Sequence, residues 1–365
     1  MLPKLLLCNL IFLFLLSAKS TISQTPLKVA VSGLTHGHVY WIFNRKDKND
    51  IQIVGIYESN KDLVKQYRQR YNLDSSLFFD NLDKMLDKVK PEAVLGFGAI
   101  SEHITIVRSC APRKINVMVE KPLATTFKDA KEIQSLAQKY SIQVLTNFET
   151  SWYSSNQYVY DLVNKGTLGD IRKVIVNDGH QGPKEINVSK EFFEILTDPK
   201  KNGADALFDF GCYGANLMSW LLKGTKPISV TAVTHQNKPN IYPHVDDEAT
   251  IILQYDKTQC IIQASWNWTF SRKDMEVYGT KGYAIAVDGT TVRQKLSATS
   301  DEERIKLETR QAPFNDPFSV LAEVIRGGLK LEQFDQYALP LNVLVVEILD
   351  AARESAKTGK TIFLK

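Results

Sequence analysis

The sequence has few cysteines and no spacing of residues typical of a metal site. Four cysteines occur among 365 residues, and Cys8 lies in an apolar stretch near the N-terminus. The other three, Cys110, Cys212 and Cys260, are an odd number and cannot all pair within the chain. No Cys-x-x-Cys or His-x-x-x-His spacing occurs. A disulfide framework is therefore excluded, the cysteines are expected to be small buried hydrophobic residues, and no metal is predicted.

Charge of one sign and long hydrophobic runs are also lacking. The formal net charge is only +4 and the lysines are dispersed, so no nucleic-acid partner is indicated. The apolar run 5–16 follows Lys4 and precedes several small residues, but it is shorter than the roughly 20 residues that span a bilayer. This pattern predicts a signal peptide over residues 1–24, export to the periplasm or beyond, and no stable membrane span after cleavage. An uncleaved anchor is the alternative.

What the sequence does contain is an alternation of apolar strands with helices. Helical patterns such as 61–71 and 126–140 separate the strands. Alternation of this kind predicts an α/β unit, a Rossmann-type doubly wound parallel sheet, over residues 25–150, with ligands at the carboxyl ends of the strands. The strands are expected at 27–32, 51–57, 77–79, 93–98, 116–120 and 143–148.

The loop after the first strand reads GLTHGH over residues 33–38. A strand, a glycine-containing turn and a helix place a pyrophosphate at a helix N-terminus, where free amides and the macrodipole favour negative charge. The loop departs from the G-x-G-x-x-G pattern, because Thr35 and His38 stand where the second and third glycines would be. The candidate cofactor contacts here are Gly33, Leu34, Thr35, His36 and His38.

Other candidate cofactor contacts follow the later strands. Glu58 lies 25 positions after Gly33, near the spacing of the acid that binds the adenine ribose hydroxyls. A carboxylate there repels a 2′-phosphate, so NAD is favoured over NADP; a solvated glutamate is the alternative. Lys121 ends a strand beside a proline and is held where a ligand could meet it. The full set is Glu58, Gly98, Ser101, His103, Glu120 and Lys121.

The rest of the chain is predicted to form a C-terminal α+β domain over residues 151–340, followed by a helix and tail at 341–365. Its β-rich segments are joined by short turns, which favours a mainly antiparallel open sheet. Apolar residues on both faces of 261–268 leave surface to cover, so a homo-oligomer is expected. The segments concerned are 171–178, 247–255, 259–265, 274–278 and 283–287.

Candidate substrate and catalytic residues lie in this second domain. Within 208–216, predicted as a helix, Asp209 and Tyr213 are four positions apart and share a face. A helix N-cap and a core tyrosine are the alternatives. His180 lies in a Gly/Pro turn and could face a ligand or solvent. Trp152 and Tyr153 could stack on a sugar, although aromatic residues are more often part of the core.

The motifs together resemble the Gfo/Idh/MocA oxidoreductase family over essentially the whole mature chain. They are the glycine loop, the strand ending in an acid, the sequence Glu-Lys-Pro-Leu-Ala at 120–124 and the final helix with its Thr-Gly-Lys exit at 358–360. The resemblance implies a nicotinamide cofactor. It also implies that Lys121, Asp209 and Tyr213 are catalytic, with Tyr213 at a position held by histidine in many members.

The expected activity is therefore hydride transfer between NAD and a secondary alcohol of a sugar or glycoside. The expected partners are a small carbohydrate substrate and a tightly held cofactor. Tyr213 or Lys121 would take the hydroxyl proton, with Lys121 lowering the pKa of the phenol, while Asp209 orients hydroxyl groups. One alternative is a redox-neutral NAD-dependent glycoside hydrolase acting through a keto-sugar. A second is a non-catalytic sugar-binding protein.

Overall fold

The computed structural model describes residues 25–45, 49–203 and 205–364. The predicted signal peptide lies outside these ranges. None of the helices inside them combines the length and apolar character that a membrane crossing needs.

The first sheet contains, within the described residues, six parallel strands in the order β3-β2-β1-β4-β5-β6. The chain leaves the centre in one direction through β1 to β3 and in the other through β4 to β6. A crevice opens outside the carboxyl ends of β1 and β4, where the order reverses. The predicted doubly wound sheet is confirmed. Its strands are β1 (Leu27–Ser32), β2 (Ile51–Tyr57), β3 (Phe78–Phe79), β4 (Ala93–Gly96), β5 (Asn116–Glu120) and β6 (Val144–Asn147).

Helices cover both faces of this sheet, and the last of them illustrates why they form. The Thr126 hydroxyl accepts a hydrogen bond from the amide of Asp129 and caps the helix start. Ala130, Ile133 and Ala137 recur at helical spacing and are buried against the sheet; full burial of Ile133 contributes about 2 kcal/mol. The helices are α1 (Val39–Phe43), α2 (Lys61–Tyr71), α3 (Leu82–Val89), α4 (His103–Cys110) and α5 (Phe127–Tyr140).

The second sheet has, in the described chain, nine strands in the order β14-β13-β12-β11-β7-β10-β9-β8-β15. Strands β7 and β10 are parallel, whereas the other neighbouring pairs are antiparallel. The predicted mainly antiparallel sheet is confirmed. Its strands are β7 (Ile171–Gly179), β8 (Ser229–His235), β9 (Glu248–Gln254), β10 (Gln259–Ser265), β11 (Arg272–Gly279), β12 (Tyr283–Ala286), β13 (Thr291–Lys295), β14 (Glu303–Lys306) and β15 (Ile362–Phe363).

Further helices pack on one face of the second sheet or join the two sheets. Phe318 of α11 packs in the core around β1. Helix α12 contributes Val346 to the core beside β5 and Ile348 to the core of the second sheet. These helices are α6 (Ser154–Asn164), α7 (Lys190–Leu196), α8 (Pro199–Asn202), α9 (Ala206–Asp209), α10 (Gly211–Leu221), α11 (Pro317–Arg326) and α12 (Leu339–Thr358). The domain boundaries stay a prediction.

The segment 208–216 differs from its predicted form, because it is not one helix. Helix α9 ends at Asp209, and α10 begins at Gly211. At Gly211 a Cβ atom would lie 2.9 Å from the Ile251 side chain. The start of α10 therefore approaches the second sheet more closely than a continued helix with ordinary side chains would allow. Asp209 and Tyr213 come from two consecutive helices rather than from one helical face.

The open face of the second sheet carries a row of paired isoleucines. Ile252, Ile261 and Ile175 lie side by side on β9, β10 and β7 and are half-buried, and Ile285 lies on the same face. We expect this face to hold a homo-oligomer together, so that Ile261→Glu lowers the mass measured by light scattering. Exposed Ile228 lies outside the strands, and Ile228→Glu should leave that mass unchanged. A monomeric mass for the parent protein would contradict the prediction.

Candidate active site

A cleft of about 610 Å³ lies between the first sheet and the second domain. Lys121, at the end of β5, enters it from one side, and Asp209 with Tyr213 enter it from the other. His36, His38 and His180 also line it. The topology thus brings strand-end residues of the parallel sheet together with residues from helices α9 and α10 of the second domain.

Lys121 is held in the cleft by a buried ion pair. Its Nζ lies 2.5 Å from Oδ1 of Asp209 and 2.8 Å from the backbone carbonyl oxygen of the same residue. The other carboxylate oxygen, Oδ2, accepts a hydrogen bond from Nε1 of Trp266 at 3.0 Å. The Lys121 ammonium also lies 5.1 Å from the centre of the Tyr213 ring. These contacts fix a positive charge beside the space where a ligand can enter.

The electrostatics of the pair keep both members charged. Burial alone would lower the pKa of Lys121, but the Asp209 carboxylate and other neighbouring groups together outweigh burial, and the net shift is upward. Burial would likewise raise the pKa of Asp209, but Lys121 and His180 outweigh it and the pKa is lowered. Lys121 therefore acts as a donor and a positive charge at neutral pH. A deprotonated lysine that could accept a proton is disfavoured.

Tyr213 does not have the lowered pKa expected from its neighbour. The side chain is 1% exposed, and burial, reinforced by Glu149 and other acids, raises the pKa of its phenol well above the usual value. Burial and the neighbouring acids determine the direction of the shift, while the Lys121 ammonium is paired with Asp209. Tyr213 is a neutral phenol and a hydrogen-bond donor.

The backbones after β1 and β4 touch at the switch point of the first sheet. Gly33 has φ +85°, and a Cβ atom on it would lie 2.6 Å from the amide nitrogen of Gly98. Gly33 follows the end of β1, and Gly98 follows the end of β4. Position 33 must be glycine because the two backbones lie too close together for a Cβ atom. The floor of the crevice therefore consists of backbone without side chains. A dinucleotide can approach such a surface closely.

Glu58 ties the glycine loop to the end of β2. Its carboxylate accepts hydrogen bonds from the amides of Leu34 and Asn60, both at 2.8 Å. Burial raises its pKa, and these two amides oppose the shift. Further lone pairs of the carboxylate are available for ribose hydroxyl groups.

The loop amides also fit a pyrophosphate. The amides of Gly33, Leu34, His36 and His38 donate to protein acceptors. Those of Thr35 and Gly37 have no acceptor in the described ranges, and both residues line the cleft. Two free amides beside a bare backbone floor and a ribose-binding carboxylate fit a dinucleotide, despite the missing glycines.

His38 and Glu120 form a second buried contact. The His38 Nδ1 lies 2.8 Å from Oε2 of Glu120, and Oε1 accepts a hydrogen bond from Asn147 Nδ2 at 2.8 Å. Burial raises the pKa of Glu120, while His36, Asn147 and Lys121 act against that shift. The imidazole of His38 stacks on Trp41 with ring centres 3.6 Å apart.

The predicted site residues fall into two groups. Those that line the cleft together are Thr35, His36, His38, Lys121, His180, Asp209 and Tyr213. Those outside its lining are Gly33, Leu34, Glu58, Gly98, Ser101, His103, Glu120, Trp152 and Tyr153. His103 is fully buried, with Nδ1 3.1 Å from the Leu123 carbonyl oxygen. The Tyr153 hydroxyl donates to Glu149, and Trp152 packs edge-on against Trp41.

Three residues of the site were missed by the sequence reasoning. Trp266 and Asn147 orient Asp209 and Glu120, and Lys273 lines the cleft while bonding to Glu149. Asn147 ends β6, so the rule that selected Glu58 and Lys121 could also have selected it. Trp266 and Lys273 carry no comparable signal, because their roles depend on how the second sheet packs against the first domain.

Comparison with known proteins agrees with this arrangement. Residues 27–148 match the family described as "Oxidoreductase family, NAD-binding Rossmann fold", and residues 156–285 match "GFO/IDH/MocA C-terminal domain". The chain belongs to the Gfo/Idh/MocA family. It is an NAD(P)-dependent oxidoreductase.

Relatives within the Gfo/Idh/MocA family include enzymes with stated substrates. The chain is 25% identical to trans-1,2-dihydrobenzene-1,2-diol dehydrogenase of Xenopus tropicalis over 83% of this chain and 89% of that protein. It is 25% identical to D-glucoside 3-dehydrogenase of Escherichia coli over 60% of each. An inositol dehydrogenase homologue from Azotobacter vinelandii, solved with NAD+, shares the fold with a TM-score of 0.80 at 15% identity, covering 93% of this chain and 98% of that one.

Proposed function

We propose that the protein transfers hydride between NAD and a secondary alcohol carbon of a sugar or glycoside. The observation that carries the proposal is the buried Lys121–Asp209 pair at the cleft, which presents a fixed ammonium beside the end of the nucleotide crevice. Such a charge stabilises the oxygen of an alcohol as it becomes a carbonyl, since negative charge develops there during the reaction. The names of the diol and glucoside relatives support this substrate class.

The other cleft residues bind and orient the substrate. Tyr213 donates a hydrogen bond from its neutral phenol, and Asp209 holds Lys121 in place while Trp266 fixes the carboxylate. A bound nicotinamide would supply the hydride acceptor or donor. The amides of Thr35 and Gly37 would hold its pyrophosphate. Glu58 would bind the adenine ribose, which favours NAD over NADP because a 2′-phosphate would meet a carboxylate.

The cofactor can be tested directly on purified protein. We expect denaturation to release NAD, detected by mass spectrometry, at close to one equivalent per chain. The apolar run near the N-terminus is the reason for expecting tight binding, because an exported enzyme would meet little free NAD. Release of NADP would contradict the role of Glu58. Protein that neither contains nor binds a nicotinamide nucleotide would favour a non-catalytic sugar-binding protein.

The proposed export leads to a second candidate, a redox-neutral glycoside hydrolase. Oxidation at one sugar carbon would acidify the neighbouring C–H bond, and elimination would then release the glycosidic substituent. Water would add to the resulting double bond, and the hydride taken up by the nicotinamide would return to the ketone. Such an enzyme would release the aglycone of a nitrophenyl glycoside without net NADH. An oxidoreductase would instead change the nicotinamide absorbance on mixing with sugar and leave the glycosidic bond intact.

A further inference from the structure

Two of the three cleft histidines present an N–H group to the ligand space. The Nδ1 of His36 lies 3.1 Å from the amide nitrogen of His38, and the Nδ1 of His180 lies 2.9 Å from that of Gly182. An amide N–H only donates, so both Nδ1 atoms are unprotonated acceptors. Burial lowers the pKa of His36 to about 3 and that of His180 to about 4, so both rings are neutral. Each ring therefore has its proton on Nε2 and acts as a donor there.

His38 has the opposite arrangement. Its Nδ1 faces the carboxylate of Glu120 at 2.8 Å, and a carboxylate only accepts, so the proton lies on Nδ1. Asn147 orients that carboxylate, and Trp41 fixes the plane of the imidazole ring. The Nε2 atom keeps its lone pair. It has no protein partner in the described ranges and is not sealed from solvent, and the side chain is 18% exposed.

Asp209, Lys121 and Tyr213 are less suited to accept the proton of the substrate, and the pKa of the Asp209 carboxyl is lowered. Both oxygens of Asp209 are engaged, Oδ1 by Lys121 and Oδ2 by Trp266. Lys121 is a charged donor, and Tyr213 is a neutral phenol. His38 Nε2 is thus the group best suited to accept a proton.

We propose that His38 is the general base of the reaction and that Glu120 positions it. The proposal rests on the proposed function. In the oxidation, the O–H bond of the substrate alcohol breaks and its proton moves to His38 Nε2. The hydrogen on carbon leaves with the electron pair of its bond as hydride to the oxidised nicotinamide, and a C=O bond forms. Lys121 and Tyr213 donate hydrogen bonds to the oxygen, rather than either of them taking the proton.

The same side chains resemble a metal site in their spacing. His36, His38 and Glu120 offer ligand atoms within 4.8 Å of one another. An ion held by His36 Nε2 would require the proton to move to Nδ1, where it would oppose the amide of His38. An ion bound between His38 and Glu120 would have to displace the proton that these two side chains share in their hydrogen bond. The existing bonds favour the proton-transfer arrangement, and metal dependence is one outcome of the test.

The protonation of His38 depends on several charged neighbours. Burial lowers its pKa well below 6.5, Lys121 and Lys273 lower it further, and Glu149 and Asp209 raise it. Glu120 and His36 contact it directly. A base must be unprotonated, so activity falls as the pH drops through this lowered pKa and is constant above it.

The main test measures the single-turnover rate of nicotinamide reduction with methyl glucoside and with myo-inositol. His38→Gln should slow this step by about 10²- to 10⁴-fold and remove the acidic limb of the pH profile. Imidazole in the buffer should partly rescue His38→Ala. His36→Gln should alter substrate affinity but keep the acidic limb, and exposed His244→Gln should match the parent.

A second measurement requires no turnover. The ¹⁵N spectrum of histidine-labelled protein should contain a neutral Nδ1–H imidazole that disappears in His38→Gln and changes in Glu120→Gln. The proposal is overturned if His38 carries its proton on Nε2, if His38→Gln stays within about threefold of the parent rate, or if a chelator abolishes activity and Zn²⁺ restores it. Loss of bound nucleotide in His38→Gln would assign the residue to cofactor binding instead. Parent protein that neither contains nor binds a nicotinamide nucleotide would contradict the proposed function, while the spectrum would still report the His38 tautomer.

Discussion

Replacing Lys121 with methionine is expected to reduce the rate of nicotinamide reduction by about 10³-fold or more, because the charge that stabilises the developing negative oxygen is lost. Methionine keeps much of the length of the side chain and removes only the ammonium, which lies 5.6 Å from the centre of the Phe210 ring and 5.1 Å from that of Tyr213. The measurement is single-turnover absorbance with a sugar, accompanied by mass spectrometry of the retained nucleotide.

The control for this variant addresses stability. Removing Lys121 leaves the Asp209 carboxylate buried without its cation, which costs about 3–5 kcal/mol of unfolding free energy. The double variant Lys121→Met/Asp209→Asn removes the unpaired charge and should recover part of that stability without recovering activity. Recovery of turnover in the double variant, or normal turnover in Lys121→Met, would refute the catalytic role of Lys121.

Gly33→Ala is expected to lower the free energy of unfolding by about 2–5 kcal/mol and to empty the nucleotide crevice. The added Cβ would lie 2.6 Å from the Gly98 amide nitrogen at a backbone with φ +85°. Either the two strand ends separate or the loop moves, and both outcomes displace the amides of Thr35 and Gly37. Urea unfolding and the nucleotide content of purified protein measure the two effects.

Gly166 provides a matched control for that experiment. It has φ +66°, and no atom lies within 4 Å of a Cβ placed there. Gly166→Ala therefore carries the conformational cost without the clash, about 1 kcal/mol, and should keep its nucleotide. Equal losses in the two variants would show that backbone conformation, rather than the contact between the strand ends, is what position 33 requires.

The sequence predicts the first half of the site well for a physical reason. Parallel strands align their carboxyl ends, so Glu58 and Lys121 can be assigned to one edge as soon as the strands are recognised. Nothing comparable connects His38 with Glu120, which lie 82 positions apart and meet only in the folded chain. The sequence therefore assigns His38 to a cofactor loop and leaves its acid partner unidentified.

Charge states were the least predictable property. Proximity of Lys121 to Tyr213 suggests a lowered phenol pKa, but the result depends on burial and on whether another acid already neutralises the ammonium. The break at Phe210 is similar, because it follows from the space between Gly211 and Ile251 rather than from local helix propensity. Both properties arise from packing between distant segments.

Helix α12 couples the unfolding of the two parts of the molecule. Val343 and Val346 belong to the core of the first sheet, while Leu344 and Ile348 belong to that of the second. The same helix is therefore part of the cores of both sheets. Unfolding of either half would expose apolar residues of α12 and remove the helix from the core of the other half. Thermal unfolding of the two halves should therefore occur in a single cooperative transition.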